Sequence, residues 1–193
     1  MMNLDTELFL KINYFAQRTP QLHGIFKFVA DFEIVVFVFL LLIGYGLTRR
    51  QSEMVKVARS IWASAGTVLA VGVNQPLVHL FHEQRPFNAL QHILVLANRS
   101  HDFSFPSDHT VMAGAVTAGL FLVNRTLGYI SLIFALLLAF SRVYIAAHWP
   151  QDVLAGLLVG ATVSLIGYAI VKKPLEAFLA WLVKTPLRIF IAG

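Results

Sequence analysis

Apolar runs about as long as a bilayer is thick recur along this sequence, and they restrict it to few architectures. Five of them, predicted as spans at residues 25–47, 57–81, 107–124, 127–147 and 151–171, approach the ~20 apolar residues that cross a hydrocarbon core. A soluble helical bundle with a large core is the alternative, but its helices seldom stay apolar on every face over such a distance. Composition weighs the same way: 58% of the 193 residues are hydrophobic and 13% charged, whereas soluble domains carry roughly 25% charge. The expected fold is all-α, a polytopic membrane helical bundle of five to six transmembrane helices with interfacial amphipathic helices. Residues 1–193 are expected to form one integral membrane domain.

Both ends read as interfacial. Leu4, Leu8, Ile12 and Phe15 recur at helical spacing between Asn3 and Gln17, which predicts an amphipathic helix lying on the bilayer. Beyond Lys172 and Lys173, Phe178, Leu182 and Phe190 alternate with Glu176, Lys184 and Arg188, so residues 174–192 read as a second interfacial helix or a sixth span. Residues 1–18 mix Asp5, Glu7, Lys11 and Arg18 with apolar residues. They lack the basic-then-apolar order of a cleavable signal, and the first span is expected to direct the chain to the membrane. Cysteine is absent, which removes disulfides and thiolate metal sites. The net charge of +5 comes from residues scattered or set beside apolar runs. Without a basic stripe, membrane lipids and not nucleic acid are the expected partners.

Charges near the spans orient the bundle. Arg49, Arg50, Lys56 and Arg59, then Arg125, then Lys172 and Lys173 fall on one side if five spans alternate, and the positive-inside rule makes that side cytoplasmic. Asp31 and Glu33 interrupt the start of the first span. A lipid-facing carboxylate in mid-span costs ~3 kcal/mol, so both are expected at a wet helix end, with Asp31 as the one bordering a functional site. Pro76 is expected to bend the second span and free backbone acceptors. The small residues of Gly156-Leu-Leu-Val-Gly160 permit close helix packing.

The unusual polar residues gather on the opposite side, in the 82–105 loop, at the start of the third span and in the turn before the fifth. Arg85 and Arg142 offer planar, permanently charged forks that match phosphate oxygens, although an isolated membrane arginine also snorkels toward headgroups. Pro106-Ser107 stands where a helix should begin, with Ser107 as cap and the first free amides directed outward at an anion. His148 and Asp152 are four apart with Pro150 at a natural first helical position. A carboxylate there can accept the imidazole Nδ1 hydrogen and leave Nε2 free to attack phosphorus. His109, one turn into the third span, is placed to protonate a departing oxygen. His79, His82, Glu83, His92 and His101 cluster near the outer loop without a His-Glu-x-x-His pattern, and no metal site is expected. Phe87, Phe103 and Phe105 suit either a lipid entrance or interfacial anchors.

These residues resemble the three signatures of the type 2 phosphatidic acid phosphatase superfamily. The third signature, Ser-Arg, five residues, His, three residues and Asp, is complete in Ser141, Arg142, His148 and Asp152. The second, Pro-Ser-Gly-His, occurs as Pro106-Ser107-Asp108-His109, with Asp108 in place of glycine. The first has Arg85-Pro86, but Val78 stands where a lysine is usual, and His79 or His82 is near enough to donate in its stead. Within the superfamily the chain is most similar to the bacterial undecaprenyl-diphosphate phosphatases associated with bacitracin resistance. In them Phe-Pro-Ser-Asp-His-Thr and a lysine-free first signature also occur.

The resemblance implies that His148 forms a phosphohistidine, that Asp152 orients it, and that His109 is the acid. It implies that Arg85, Ser107, His109 and Arg142 contact phosphate, with Asp108, His82 and Asp31 as candidate accessory residues. It implies a reaction without metal or other cofactor on a polyprenyl diphosphate lipid. The enzyme would sit in the cell membrane as a multi-pass protein with its active site facing the extracytoplasmic side, recycling the cell-wall lipid carrier. One rival is the same chemistry on phosphatidic acid or phosphatidylglycerol phosphate. Another is a non-catalytic lipid-phosphate binding or transport protein, against which the intact His148 and Asp152 pair argues.

Overall fold

The computed structural model describes residues 3–50 and 54–186. Its elements are α1 (Leu4–Arg18), a 3-10 turn (Pro20–Leu22), α2 (His23–Arg50), α3 (Met54–Phe81), α4 (Pro86–Ala89), α5 (Asp108–Val123), α6 (Arg125–Tyr144) and α7 (Pro150–Leu182). There is no strand among the described residues. Residues 54–89, 125–144 and 150–182 are long and apolar enough to cross a membrane. Helix α2 equals α3 in length at 28 residues. It exposes Phe28, Phe32, Val35, Phe39 and Leu42, a stripe at helical spacing that suits lipid. The chain is an all-helical, multi-pass membrane protein.

Helix α5 is the axis of the bundle. Its 16 residues span only about 24 Å, and its residues from Thr110 to Leu120 are almost all buried. A helix that is apolar on every face belongs inside other helices, and α3, α6 and α7 surround it. Contact with α7 is made through glycine: a Cβ at Gly160 would overlap the Val111 carbonyl, and one at Gly114 would overlap the Leu157 carbonyl. Small residues let two backbones meet in this way. Polar groups inside the bundle are paired across helices, as with Trp62 Nε1 donating to Ser164 O at 2.8 Å and Thr117 Oγ1 meeting Ser131 Oγ at 2.7 Å.

Two details differ from the sequence expectations. Helix α1 forms as expected, with Asn3 capping it through the Asp5 amide at 2.6 Å, but it buries Phe9, Asn13 and Ala16 while Leu4, Leu8 and Phe15 stay exposed. Phe9 lies 5.1 Å from the Trp149 ring, and Asn13 exchanges two hydrogen bonds with the Leu94 backbone, at 2.7 and 3.0 Å. The helix fastens the site end of the bundle and leaves its second apolar face for lipid. At the other end, α7 runs without interruption through Pro174 to Leu182, so residues 174–182 are neither a separate interfacial helix nor a sixth span. Arg188 and Phe190 lie outside the described residues. Helix α3, where a bend is expected at Pro76, is one helix through that residue.

Candidate active site

One end of the bundle gathers the loop after α3, the start of α5 and the turn between α6 and α7. Backbone hydrogen bonds lock these segments together: Ser104 N donates to Glu83 O at 2.8 Å, Leu96 N and Ala97 N donate to Ile145 O at 3.1 and 2.9 Å, and Ser107 N donates to Asp152 O at 3.2 Å. Trp149 Nε1 donates to Gln84 O at 2.8 Å. Between them lies a cavity of about 350 Å³ lined by Arg85, Asp108, His109 and His148, together with Gln75, Val78, His79 and Phe103.

His148 is 2% exposed and both ring nitrogens have partners. Nε2 lies 3.2 Å from Arg85 Nη1, while Nδ1 donates to the Ser104 carbonyl at 2.9 Å. Asp152 Oδ2 is farther away, at 3.5 Å from Nδ1. That carboxylate oxygen accepts instead from Ser104 Oγ at 2.5 Å and from Trp149 N at 2.8 Å. The expected direct orienting bond from Asp152 is thus replaced by a relay: Ser104 holds the imidazole with its carbonyl and the carboxylate with its hydroxyl. Burial, then the guanidinium groups of Arg142 and Arg85, hold the His148 imidazole well below its usual range. It is a neutral ring with Nε2 unprotonated, as nucleophilic attack requires.

Arg85 also donates from Nε to Asp102 O at 3.0 Å and from Nη1 to Ala147 O at 3.1 Å. Burial lowers its pKa, and Asp102, Asp152 and Asp108 oppose that shift. Arg142 is buried too, with Nη1 3.5 Å from Ala30 O and Nε unpartnered. It faces an adjoining recess of about 270 Å³ shared with Asp31, Glu33 and His109. His109 therefore borders both spaces, with Arg85 on one side and Arg142 on the other.

The other candidates divide. Asp108 lines the cavity and is held to α3, accepting from Asn74 Nδ2 at 2.7 Å and Gln75 Nε2 at 3.0 Å. Its carboxylate replaces the usual glycine by acquiring two amide donors on the neighbouring helix. Ser107 begins α5 but makes no capping bond, and its buried Oγ has no protein partner. Its own amide donates to Asp152 O, and the first amides of the helix are those of Asp108, His109 and Thr110. His82 stands at the exposed end of α3, its ring 4.6 Å from Phe103, outside the cavity lining. His79 and Val78 line the cavity instead. Asp31 is exposed and borders only the recess.

Two residues were missed. Glu33, expected at a wet helix end, is 5% exposed and its Oε1 lies 3.3 Å from His109 Nε2. Helical spacing carried the signal: Ala30, Glu33, Phe37 and Leu40 form the buried stripe of α2, whereas Asp31 falls with exposed Phe28 and Val35. Ser104 had no such signal, because half of its role is played by its backbone carbonyl.

The class these features define is a helical membrane protein with a neutral imidazole, a carboxylate relay and a guanidinium converging on one polar cavity. Residues 59–176 match the PAP2 superfamily. The chain is 31% identical over 163 residues to the undecaprenyl-diphosphatase BcrC of Bacillus subtilis, covering 84% of this chain and 82% of that one. It is 29% identical to an undecaprenyl-diphosphatase of Sulfolobus acidocaldarius, covering 88% and 79%. The crystal structure of Aquifex aeolicus LpxE superposes with a TM-score of 0.67 and 29% identity, over 87% of this chain and 96% of that one. The protein belongs to the PAP2 superfamily. The phosphatase class expected from its motifs is borne out at that level.

Proposed function

We propose that the protein is a single-domain integral membrane phosphatase that converts undecaprenyl diphosphate to undecaprenyl phosphate at the extracytoplasmic face of the cell membrane. The observation that carries this reading is His148: Nδ1 is committed to Ser104 O while Nε2 faces the cavity beside Arg85 Nη1 at 3.2 Å. A terminal phosphate whose oxygens engage Arg85 has its phosphorus in reach of Nε2. Attack forms the N–P bond and breaks the P–O bond to the bridging oxygen, which keeps the electron pair and takes a proton from His109. Polyprenyl phosphate leaves. Water then attacks the phosphohistidine with His109 as base, releasing inorganic phosphate and restoring His148.

Arg142, on the far side of His109, and the buried Ser107 hydroxyl complete the phosphate contacts in this reading. Support for the substrate comes from the relatives named above. Support for the orientation comes from Arg49 in the last turn of α2, Lys56 and Arg59 in the first two turns of α3, and Arg125 at the start of α6. In α3 and α6 these are the ends opposite those that lead into the site-forming loops. The product would return to the cell-wall lipid carrier pool, and the activity would confer resistance to bacitracin.

The test is phosphate release from undecaprenyl diphosphate, phosphatidic acid and phosphatidylglycerol phosphate in detergent, with and without chelator. Acid-labile radiolabel on the protein is followed in the same samples. Preferred turnover of the diphosphate and label that disappears in His148→Ala are expected. Release by His148→Ala at the wild-type rate would remove the nucleophile. Binding without release by the wild type would favour a transport or binding role.

A further inference from the structure

We propose that Glu33 is a positioning residue for His109: its carboxylate accepts the Nε2 hydrogen and leaves Nδ1 as the ring nitrogen that exchanges a proton with substrate and water. The inference rests on the acid and base role given to His109 in the proposed function. Glu33 lies on α2, far in sequence from every signature motif, yet its side chain is 3% exposed and Oε1 lies 3.3 Å from His109 Nε2. Its Oε2 is buried with no protein partner. A carboxylate held inside an apolar span is costly and persists where it faces a partner. The partner here is one imidazole.

The ring stands between two spaces. His109 borders the cavity that contains His148 and also the recess that contains Glu33, while Glu33 does not line the cavity. Glu33 therefore acts through His109 and does not touch the reacting atoms. An imidazole whose Nε2 hydrogen is held by a carboxylate has a fixed tautomer and ring orientation. In the first step Nδ1–H gives its proton to the bridging oxygen as the P–O electron pair moves onto it. In the second step Nδ1 takes a proton from the water attacking the phosphohistidine. The other charged groups lining the two spaces are Arg142 on α6, Arg85 before α4, Asp102 and Asp108 on the cavity side, and Asp31, which is exposed on α2. When the ring carries both hydrogens, Glu33 is the buried carboxylate that faces it from α2.

The experiment uses the full chain in detergent with undecaprenyl diphosphate and four variants: Glu33→Gln, Glu33→Asp, His109→Ala and the Glu33→Gln/His109→Ala double. Glu33→Gln should lower kcat by at least about tenfold, within the roughly 10²- to 10⁴-fold expected for the acid itself, with KM nearly unchanged. Glu33→Asp keeps the charge and should recover part of the loss. In the His109→Ala background, Glu33→Gln should cost nothing more, as expected for two members of one unit. Wild-type kcat for Glu33→Gln beside an impaired His109→Ala overturns the positioning role alone, as do additive losses. Wild-type kcat for His109→Ala instead overturns the acid role in the proposed function. If Glu33→Gln elutes as aggregate, Glu33→Asp alone and combined with His109→Ala decides the matter. Its shortened reach must lower kcat only where His109 is present.

Discussion

Nη1 of Arg85 stands 3.2 Å from Nε2 of His148, which places the cationic fork and the attacking lone pair at one point of the cavity wall. The same guanidinium holds two backbone carbonyls, of Asp102 and Ala147, and so is fixed in direction as well as in charge.

Arg85→Lys should keep the charge and lose the fork. A charged hydrogen bond is worth about 1.5–3 kcal/mol, and an ammonium cannot reproduce the planar set. We expect kcat/KM to fall roughly 10- to 100-fold, with an unchanged elution profile in detergent. Steady-state kinetics on undecaprenyl diphosphate check this, and a value near wild type would mean that only charge matters at residue 85.

Ser104→Ala should separate the two halves of the relay. The carbonyl still receives His148 Nδ1–H, but Asp152 Oδ2 loses its 2.5 Å hydroxyl donor and Oδ1 is already without a protein partner. An under-satisfied buried carboxylate costs about 1–3 kcal/mol or more, so both thermal stability and kcat should drop. Ser104→Thr, which retains a hydroxyl, should recover most of the loss. An unchanged kcat in Ser104→Ala would detach Asp152 from catalysis.

The acid limb of kcat/KM follows from the His148 environment. Burial and the two guanidinium groups push its pKa down from 6.5, so the folded protein keeps the ring neutral where a free imidazole would be half protonated. As pH falls, attack is therefore retained through 6.5 and lost only as pH passes the lowered value. The limb assigned to His148 should lie below pH 6.5 and move upward in Arg85→Gln. A limb at or above 6.5 in the wild type contradicts the placement of the ring.

Gly156→Ala tests the α5–α7 contact. The added Cβ would overlap Thr110 Oγ1 and lie 2.7 Å from the Ser107 carbonyl, and overpacking of this kind costs about 1–3 kcal/mol. Activity should fall with stability, because Ser107 and His109 start the helix being displaced. Gly72→Ala is the control, since a Cβ there meets nothing within 4 Å.

Span order and the third signature were legible because both are local. Helical spacing puts His148 and Asp152 within one turn of each other, and apolar length marks each membrane helix. The expected 25–47 and 57–81 spans lie inside α2 and α3, which are longer by a few residues at their ends. What sequence spacing does not carry is contact across the bundle. Asp31 and Glu33 look alike in the sequence, and only the buried stripe of α2 separates them. His79 and His82 would share a helix face, but α3 ends at Phe81 and His82, with φ 50, leaves the cavity lining that His79 keeps. The end of α7 was misread because Lys172 and Lys173 mark the end of an apolar run, yet the helix continues past them and through Pro174, where one lost amide bond does not break it.

The glycine contact between α5 and α7 has a mechanical consequence. With two backbones in direct touch at Gly114, Gly156 and Gly160, the helix bearing His109 and the helix whose first turn bears Asp152 behave as one stiff beam. The separation between His109 and the Asp152 end of α7 is then set by main-chain atoms, and side-chain repacking elsewhere in the bundle has little leverage on it. On the proposed function, an isoprenoid that slides in would deflect the outer helices around that beam and leave the reacting groups in register.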